Sequence, residues 1–378
     1  MEFRDLKRQY QVLKLDIDEA IQSVLSSGSF IMGKQVVELE EKLAEYVGVK
    51  HCVSCANGTD ALVLALKVLG IGEGDVVFVP DFTFFASAEA VSVVGAVPVF
   101  VDVDSETFNL DTKDLEEKIN YVKALGSYNL KAIMAVDLFG LPAMYDEICS
   151  IAKINGLYVV EDAAQGFGGR IGDRKACSFG DISTTSFFPA KPLGCYGDGG
   201  ALFTNNTAWA EKAMSYRMHG KGESKYDNVT IGMNSRLDAL QAAVLQVKLN
   251  AFIQNELEAV NNVAKMYMEE LQHCVHIPRV PNNFYSSWAQ FTITLEDEKL
   301  RDSLQLFLKN KGVPTAVYYP KPLSSQSVYA QMSLPSTSTP VANDLCKRVL
   351  SLPMHPYLTE QEVQFICSSI KEWKTTML

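Results

Sequence analysis

A lysine at the end of an apolar run is the first candidate for chemistry in this sequence. Lys191 closes the segment Ser186-Phe-Phe-Pro-Ala-Lys191 and leads into the glycine-rich stretch Pro192-Leu-Gly-Cys-Tyr-Gly-Asp-Gly-Gly200. Apolar surroundings lower the basicity of an amine and so favour its neutral, nucleophilic form. We therefore predict that Lys191 forms a Schiff base with a carbonyl compound, with an ordinary loop lysine as the alternative.

Two other strand ends carry polar groups that could act with this lysine. The apolar run before Asp162 and Gln165 delivers a carboxylate and an amide, although Asp162 could instead cap a helix. The strand around Val53 leads into Gly58 and Thr59 and then a helical run, a junction whose free N–H groups can bind a phosphate. An amine, a carboxylate and a phosphate cradle together meet the needs of pyridoxal 5′-phosphate (PLP).

The order of motifs along the chain carries a family resemblance. Nearly the whole sequence resembles the sugar aminotransferases of the DegT/DnrJ/EryC1/StrS family, which are PLP enzymes of fold type I. The motifs are Asn57-Gly-Thr-Asp-Ala-Leu62, Phe82-Thr-Phe-Phe-Ala-Ser87, Glu161-Asp-Ala-Ala-Gln165, Ser186 to Lys191, Gly232-Met-Asn-Ser-Arg236 and Leu352-Pro-Met-His-Pro356.

The resemblance implies a role for each matching residue of the cofactor site. Lys191 matches the lysine that bonds to the cofactor and later moves a proton, and Asp162 matches the carboxylate that pairs with the pyridine nitrogen. Gln165 matches the partner of the phenolic oxygen, and Phe84 matches the aromatic that stacks on the ring, with a core position as its alternative. The implied phosphate contacts are Gly58, Thr59 and Ser186.

Other matches imply a second subunit and a sugar substrate. Asn234 matches an asparagine that reaches the phosphate from the neighbouring subunit, which implies a homodimer with shared active sites. Arg236 is a candidate for binding an anionic part of the substrate, or alternatively for an interface salt bridge. Tyr318 and Tyr319 match a segment that borders the sugar, but many relatives carry histidine where Tyr318 stands.

The implied reaction moves an amino group from L-glutamate to a UDP- or dTDP-linked oxo-sugar. The sequence segments 186–200, 54–60 and 232–238 look most like those of enzymes that aminate C3 of UDP-2-acetamido-2-deoxy-3-oxo-glucuronate for surface polysaccharides such as O-antigen. Enzymes that act on dTDP-3-oxo and UDP-4-oxo 6-deoxysugars share most of the same motifs, so these sugars remain alternative substrates. A dehydratase is disfavoured because its family branch replaces the lysine with histidine, and a non-catalytic regulator is the remaining rival.

Composition narrows the class of protein further. The 378 residues carry 34 Lys and Arg against 45 Asp and Glu, and this acidic balance argues against a nucleic-acid partner. The most apolar run, residues 90–101, is too short to span a membrane, so we expect a cytoplasmic protein with reduced cysteines. We predict no metal site, because Cys52 and Cys55 should point to opposite faces of a strand.

Hydrophobic periodicity predicts an α/β fold with helices on both faces of a mostly parallel sheet, for which the resemblance implies seven strands. We predict an amphipathic helix over 7–25 and a second with Val36, Leu39, Leu43 and Tyr46 on one face. Further predicted strands lie at 76–79, 97–101, 132–136, 158–160 and 183–188.

The C-terminal part is predicted to form a smaller α+β domain. A long helix from 237 to about 260 should be followed by helices near 264–271 and 300–310, strands at 289–295 and 315–319, and a Ser/Thr/Pro-rich loop at 333–340. We accordingly predict a large cofactor-binding domain over residues 1–250 and a small domain over 251–378.

Overall fold

The computed structural model describes residues 1–224, 226–332, 335 and 338–377, which alternate between strands and helices over most of their length. Part of the predicted loop 333–340 lies outside these residues. The strands are β1 His51–Cys55, β2 Asp75–Pro80, β3 Val97–Val101, β4 Asn129–Val136, β5 Tyr158–Asp162, β6 Arg170–Ile171, β7 Arg174–Lys175, β8 Ile182–Ser186, β9 Gly200–Thr204, β10 Phe284–Tyr285, β11 Phe291–Thr294 and β12 Val349–Leu352.

The helices are likewise numbered in chain order. They are α1 Leu6–Ser27, α2 Lys34–Val47, α3 Gly58–Val68, α4 Ala86–Val93, α5 Thr112–Leu125, α6 Tyr145–Asn155, α7 Thr207–Tyr216, α8 Ala239–Ala251, α9 Leu257–Leu271, α10 Glu298–Asn310, α11 Ser327–Ala330, α12 Pro340–Arg348 and α13 Glu360–Met377. Among the described residues, no helix combines the length and the apolarity that a bilayer crossing requires.

The central sheet confirms the predicted fold class. In the part of the chain that the structure describes it has seven strands in the order β1-β9-β8-β5-β4-β2-β3. The neighbouring pairs β8-β5, β5-β4, β4-β2 and β2-β3 are parallel, whereas β9 runs antiparallel to both of its neighbours, β1 and β8. Five of the predicted strand positions fall on β2, β3, β4, β5 and β8, and the run around Val53 falls on β1.

Both faces of the sheet are covered by helices, as predicted. Val76 and Phe78 of β2 belong to a core with α2, α5, α6 and α8, whereas Val77 and Val79 belong to a core with α3, α4 and α7. Alternate residues of a strand point to opposite faces, so an apolar β2 serves both cores. Cys52 and Cys55 likewise fall in the two different cores.

The C-terminal elements pack around a core of their own. β11 and β12 form an antiparallel pair, and residues of α9, α10 and α13 pack on it. The helix predicted at 300–310 corresponds to α10, and the strand predicted at 289–295 corresponds to β11.

Two predictions for this region are wrong. The predicted break between helices near 260 does not exist, because α8 continues through a π-helical turn at Phe252–Glu256 into α9. The strand predicted at 315–319 is reduced to one bridge: Ser351 of β12 pairs with Thr292 of β11 on one edge and with Ala316 on the other, and Pro314 and Pro320, which have no N–H to donate, flank the short segment. The predicted domain boundary at residue 250 falls inside the continuous helix, and the division into two domains stays a prediction.

Candidate active site

A cavity of about 950 Å³ opens where the carboxyl ends of β5 and β8 meet the start of α3. Asp162 is the last residue of β5 and Ser186 the last of β8, and these neighbouring strands are parallel. Parallel strands place their carboxyl ends at one edge of a sheet, where ligands of α/β proteins gather. The residues from the sequence analysis that line this cavity are Gly58, Thr59, Phe84, Asp162, Gln165, Ser186, Lys191, Tyr318 and Tyr319.

The start of α3 forms an anion cradle in this cavity. The Asn57 side chain caps the helix by accepting a hydrogen bond of 2.8 Å from the Asp60 N–H. The N–H groups of the first helical turn, at Gly58 and Thr59, have no partner within the helix and carry its positive dipole end. Phosphate or carboxylate binding is what such a terminus favours.

Gly58 is required by the packing of α3 against β8. A Cβ atom built on Gly58 would lie 2.6 Å from the Cβ of Ser186, far inside van der Waals contact. Only glycine therefore lets the start of α3 approach the end of β8 this closely. The same approach brings the cradle and the Ser186 hydroxyl into one cavity.

Asp162 is a buried carboxylate with two fixed hydrogen bonds. Its Oδ2 accepts a 2.8 Å bond from the Ser87 hydroxyl, and its Oδ1 accepts a 3.1 Å bond from the Ala164 N–H. Burial raises the pKa of this carboxyl, and its hydrogen bonds and the charge of Lys191 oppose that rise. The helix-cap alternative is wrong, because the turn at residues 164–168 follows Asp162 and no helix begins there.

Lys191 lies at the floor of the cavity, half-buried. Burial lowers the pKa of its amine from the ordinary 10.5 to about 8, against the attraction of Asp162 and together with the positive charge of Arg4. The neutral fraction of the amine near pH 7 is therefore larger than for a lysine of ordinary pKa. The neutral form is the state in which a lysine can attack a carbonyl carbon or accept a proton.

An amide and two aromatic rings form another wall. Gln165 accepts a 2.8 Å hydrogen bond from the Phe139 N–H and donates one of 3.0 Å to the Tyr319 hydroxyl, which fixes the side chain at both ends. The ring of Phe84 lies 6.3 Å from that of Tyr319 and is 54% exposed. The core alternative for Phe84 is therefore wrong, and its ring is available to a ligand in the cavity.

Two predicted residues, Asn234 and Arg236, do not line the cavity of their own chain. Asn234 is exposed and Arg236 half-buried. Ser235 between them donates a 2.6 Å hydrogen bond to Asp60 and accepts one of 3.1 Å from the Ala56 N–H. This segment is thus anchored beside the start of α3, while Asn234 and Arg236 stay outside the cavity lining.

Sequence reasoning missed some groups that act on this site. Ser87 lies within a recognised motif, but its bond to Asp162 joins residues 75 positions apart, and no local pattern indicates it. Arg4, Gln290 and Lys321 also had no assigned role. The proline on each side of Lys321 was a signal of a fixed loop that could have drawn attention to it.

The fold and this cavity define a class of protein before any comparison. A mostly parallel α/β sheet presents a low-pKa lysine, a buried carboxylate, an aromatic face and an anion cradle, which suits an enzyme of covalent carbonyl chemistry with a planar phosphorylated cofactor. The chain belongs to the DegT/DnrJ/EryC1/StrS aminotransferase family, whose model matches residues 11–371.

Individual relatives are similar over nearly their whole lengths. The chain is 43% identical to a UDP-2-acetamido-2-deoxy-3-oxo-D-glucuronate aminotransferase of Pseudomonas aeruginosa over 98% of this chain and 99% of the relative. It is 39% identical to a pleiotropic regulatory protein of Geobacillus stearothermophilus, covering 98% and 97%.

Solved structures agree in fold. A DegT DnrJ EryC1 StrS aminotransferase from Brucella abortus has a TM-score of 0.96 at 47% identity, with 98% of this chain and 99% of that chain covered. The NtdA protein of Bacillus subtilis with bound cofactor PMP has a TM-score of 0.86 at 28% identity, with 96% and 82% covered.

Proposed function

We propose that this protein is a PLP-dependent aminotransferase that moves an amino group from L-glutamate to C3 of UDP-2-acetamido-2-deoxy-3-oxo-glucuronate. The observation that carries the chemistry is the convergence of Lys191, Asp162 and the α3 cradle in one cavity. The sugar is proposed from the similarity to the Pseudomonas aeruginosa enzyme. We place the reaction in the cytoplasm and its product in surface polysaccharide biosynthesis, including O-antigen.

The residues of the cavity fit the cofactor group by group. The phosphate would bind the N–H groups of Gly58 and Thr59 and the hydroxyl of Ser186, while Phe84 would stack on the ring. Gln165 retains one amide N–H beyond its bond to Tyr319 and would donate it to the phenolic oxygen. Bound PLP supplies an aldehyde and a ring that withdraws electrons when its nitrogen is protonated.

Two residues carry the chemical work. Asp162 would pair with the ring nitrogen and hold its proton, because a buried carboxylate gains most from an opposite charge beside it. Lys191 would bond to the carbonyl carbon and, once displaced by the amino substrate, move a proton from the substrate α-carbon as general base. Its pKa of about 8 suits it to accept that proton and to return it.

The proposal includes a homodimer with shared active sites. Asn234 and Arg236 lie outside the cavity of their own chain, on a segment anchored by Ser235. We propose that Asn234 reaches the phosphate in the partner's cavity and that Arg236 binds an anionic part of the substrate there. Tyr318 and Tyr319 would border the sugar from within the same chain.

A regulatory protein is the second candidate, because one relative bears that name. Such a protein could keep the fold without the catalytic groups, whereas Lys191 and Asp162 are both present here and electrostatically coupled. A non-catalytic role does not require this arrangement.

The discriminating experiment is a spectrum of purified protein followed by a substrate panel. We expect a PLP absorbance band that shifts when L-glutamate is added, and turnover of UDP-linked 3-oxo-uronate above dTDP-3-oxo and UDP-4-oxo sugars. A protein that cannot be loaded with PLP would contradict the enzyme proposal. Preferred turnover of another oxo-sugar would contradict only the assignment of the substrate.

A further inference from the structure

A cation at the mouth of the cavity has no partner among the residues that the structure describes. Lys321 lines the same cavity as Lys191, and its side chain is exposed. Within the described residues the Lys321 ammonium makes no ion pair or hydrogen bond. The charge is thus free to meet a ligand that enters the cavity.

The loop that carries Lys321 is held in place. Pro320 and Pro322 flank the lysine and restrict its backbone. Just beyond them, the Leu323 N–H donates a 3.0 Å bond to the carbonyl of buried Asp81, and the N–H and hydroxyl of Ser324 each donate 2.6 Å bonds to its carboxylate. Lys321 is therefore presented from a fixed base, which limits the ordering cost of binding.

The carboxylates that line the cavity either bind other groups or form no ion pair with Lys321. Asp162 is held by Ser87 and Ala164, and Asp60 accepts a bond from Ser235. Asp198 is exposed and forms no ion pair with Lys321. Lys191 is offset by Asp162, so among the lining residues that the structure describes, Lys321 is the cation without a matching carboxylate.

An amide in the same cavity also lacks a partner. The Oε1 atom of Gln290 is buried and makes no hydrogen bond to any described residue, and Gln290, just before β11, lines both this cavity and a narrow neighbouring one. Leaving a buried amide unpaired is unfavourable. The terminal torsion of a glutamine is soft, so this amide can turn toward a hydroxyl or acetamido group of a ligand.

We propose that Lys321 and Gln290 form a subsite for the sugar nucleotide, with Lys321 on an anionic group and Gln290 on a neutral polar group. This inference rests on the proposed aminotransferase function. An ammonium on a flexible stem is a point charge suited to either a carboxylate or a phosphate oxygen. The anionic group is thus the uronate carboxylate or the diphosphate.

Binding to the PLP-loaded enzyme tests the subsite without requiring turnover. Titration calorimetry would compare wild type with Lys321→Met, Lys321→Arg and Gln290→Met, using UDP-2-acetamido-2-deoxy-glucuronate as a stable probe. We expect affinity to fall about tenfold in Lys321→Met and about threefold to tenfold in Gln290→Met. Lys321→Arg should keep most of the affinity, and Lys153→Met, an exposed lysine on α6, is the matched control.

One further probe, UDP alone, identifies the anionic group. Equal losses for UDP alone and for the uronate would assign Lys321 to the diphosphate, and a loss confined to the uronate would assign it to the carboxylate. In the half-reaction with L-glutamate, followed by the cofactor absorbance, each variant should be impaired less than in binding of the probe, because L-glutamate carries neither the sugar nor the diphosphate. Gln290→Met should also unfold at the same or a higher urea concentration, since no protein hydrogen bond is removed.

Other results would overturn the subsite. They are unchanged probe affinity in both Lys321→Met and Gln290→Met, or an equal impairment of the L-glutamate half-reaction. If wild type binds the probe and turns over oxo-sugars while these variants match it, the subsite is wrong and the proposed function stands. If wild type cannot be loaded with PLP, the proposed function fails and the subsite fails with it.

Discussion

The guanidinium of Arg4 donates a 2.7 Å hydrogen bond to the main-chain carbonyl of Lys191. The N-terminal segment therefore holds the backbone of the candidate catalytic lysine, although 187 positions separate the two residues. The preceding residue, Phe3, places its ring 6.2 Å from that of Tyr318, which also lines the cavity. Arg4 thus acts through Lys191 as a positioning residue.

The positive charge of Arg4 should also tune Lys191. The positive charge of Arg4 lowers the pKa of the Lys191 amine. Arg4→Gln is therefore expected to raise that pKa, so that the amine becomes neutral and nucleophilic only at higher pH. Arg4→Lys keeps the charge and should leave the profile close to wild type. The measurement is the pH dependence of Lys191 acylation in the cofactor-free protein, followed by mass spectrometry. If the profile of Arg4→Gln were identical to that of wild type, the charge of Arg4 would have no influence on the Lys191 amine.

The buried amine should cost the cofactor-free protein stability. The pKa of Lys191 is about 8 when folded and 10.5 ordinarily, so below pH 8 the amine is charged in both states and its burial penalty is fully present. As the pH rises from 8 to 10.5 the folded state releases its proton first, and the penalty disappears. We expect Lys191→Met to stabilise the cofactor-free protein by about 2 kcal/mol at pH 7 and by little at pH 10.5.

Urea unfolding of both proteins at the two pH values provides this comparison. Lys248 is also buried with a pKa lowered to about 8, but it is present in both proteins and cancels in the difference. A stability difference that stays constant with pH would argue against a charge penalty at Lys191.

Replacing the buried carboxylate should impair catalysis while the fold persists. Asp162→Asn keeps an oxygen that can accept from Ser87 or Ala164 but loses the charge that would hold a proton on the ring nitrogen. We expect turnover to fall by about 100-fold or more with little change in the midpoint of unfolding. Asp198→Asn, at an exposed carboxylate of the same cavity, is the control and should retain turnover. Comparable turnover in the two variants would refute the role assigned to Asp162.

Gly58 offers a test of packing at the cradle. A methyl group at this position would meet Ser186, so Gly58→Ala is expected to destabilise the fold by about 1–3 kcal/mol and to weaken PLP binding. Ser186→Gly in the same chain removes the nearest atoms and should recover part of the stability. The control is Gly72→Ala, where the nearest atom would lie at an ordinary 3.5 Å. Calorimetric unfolding and cofactor titration measure the two effects, and equal stability of both alanine variants would contradict the close approach.

Local patterns in the sequence determined many of the strands and helices of this protein and several residues of its candidate site. Apolar runs that end in polar residues identified β5 and β8 with Asp162 and Lys191, and the Asn57–Thr59 junction identified the start of α3. These signals are local, because a strand or a helix start is set by a few consecutive residues and their hydrogen bonds. A local signal failed where a strand also needs long-range pairing: residues 315–319 look like a strand, but only Ala316 forms a bridge, with Ser351.

Only the tertiary structure decided which distant groups meet. The bonds from Ser87 to Asp162 and from Arg4 to Lys191, and the packing of Gly58 against Ser186, depend on strand order and helix placement rather than on nearby sequence. The same holds for Asn234 and Arg236, which the sequence associates with the site and the folded chain leaves outside its own cavity. The residue types along the chain therefore determined the chemistry, whereas long-range packing decided which side chains can take part in it.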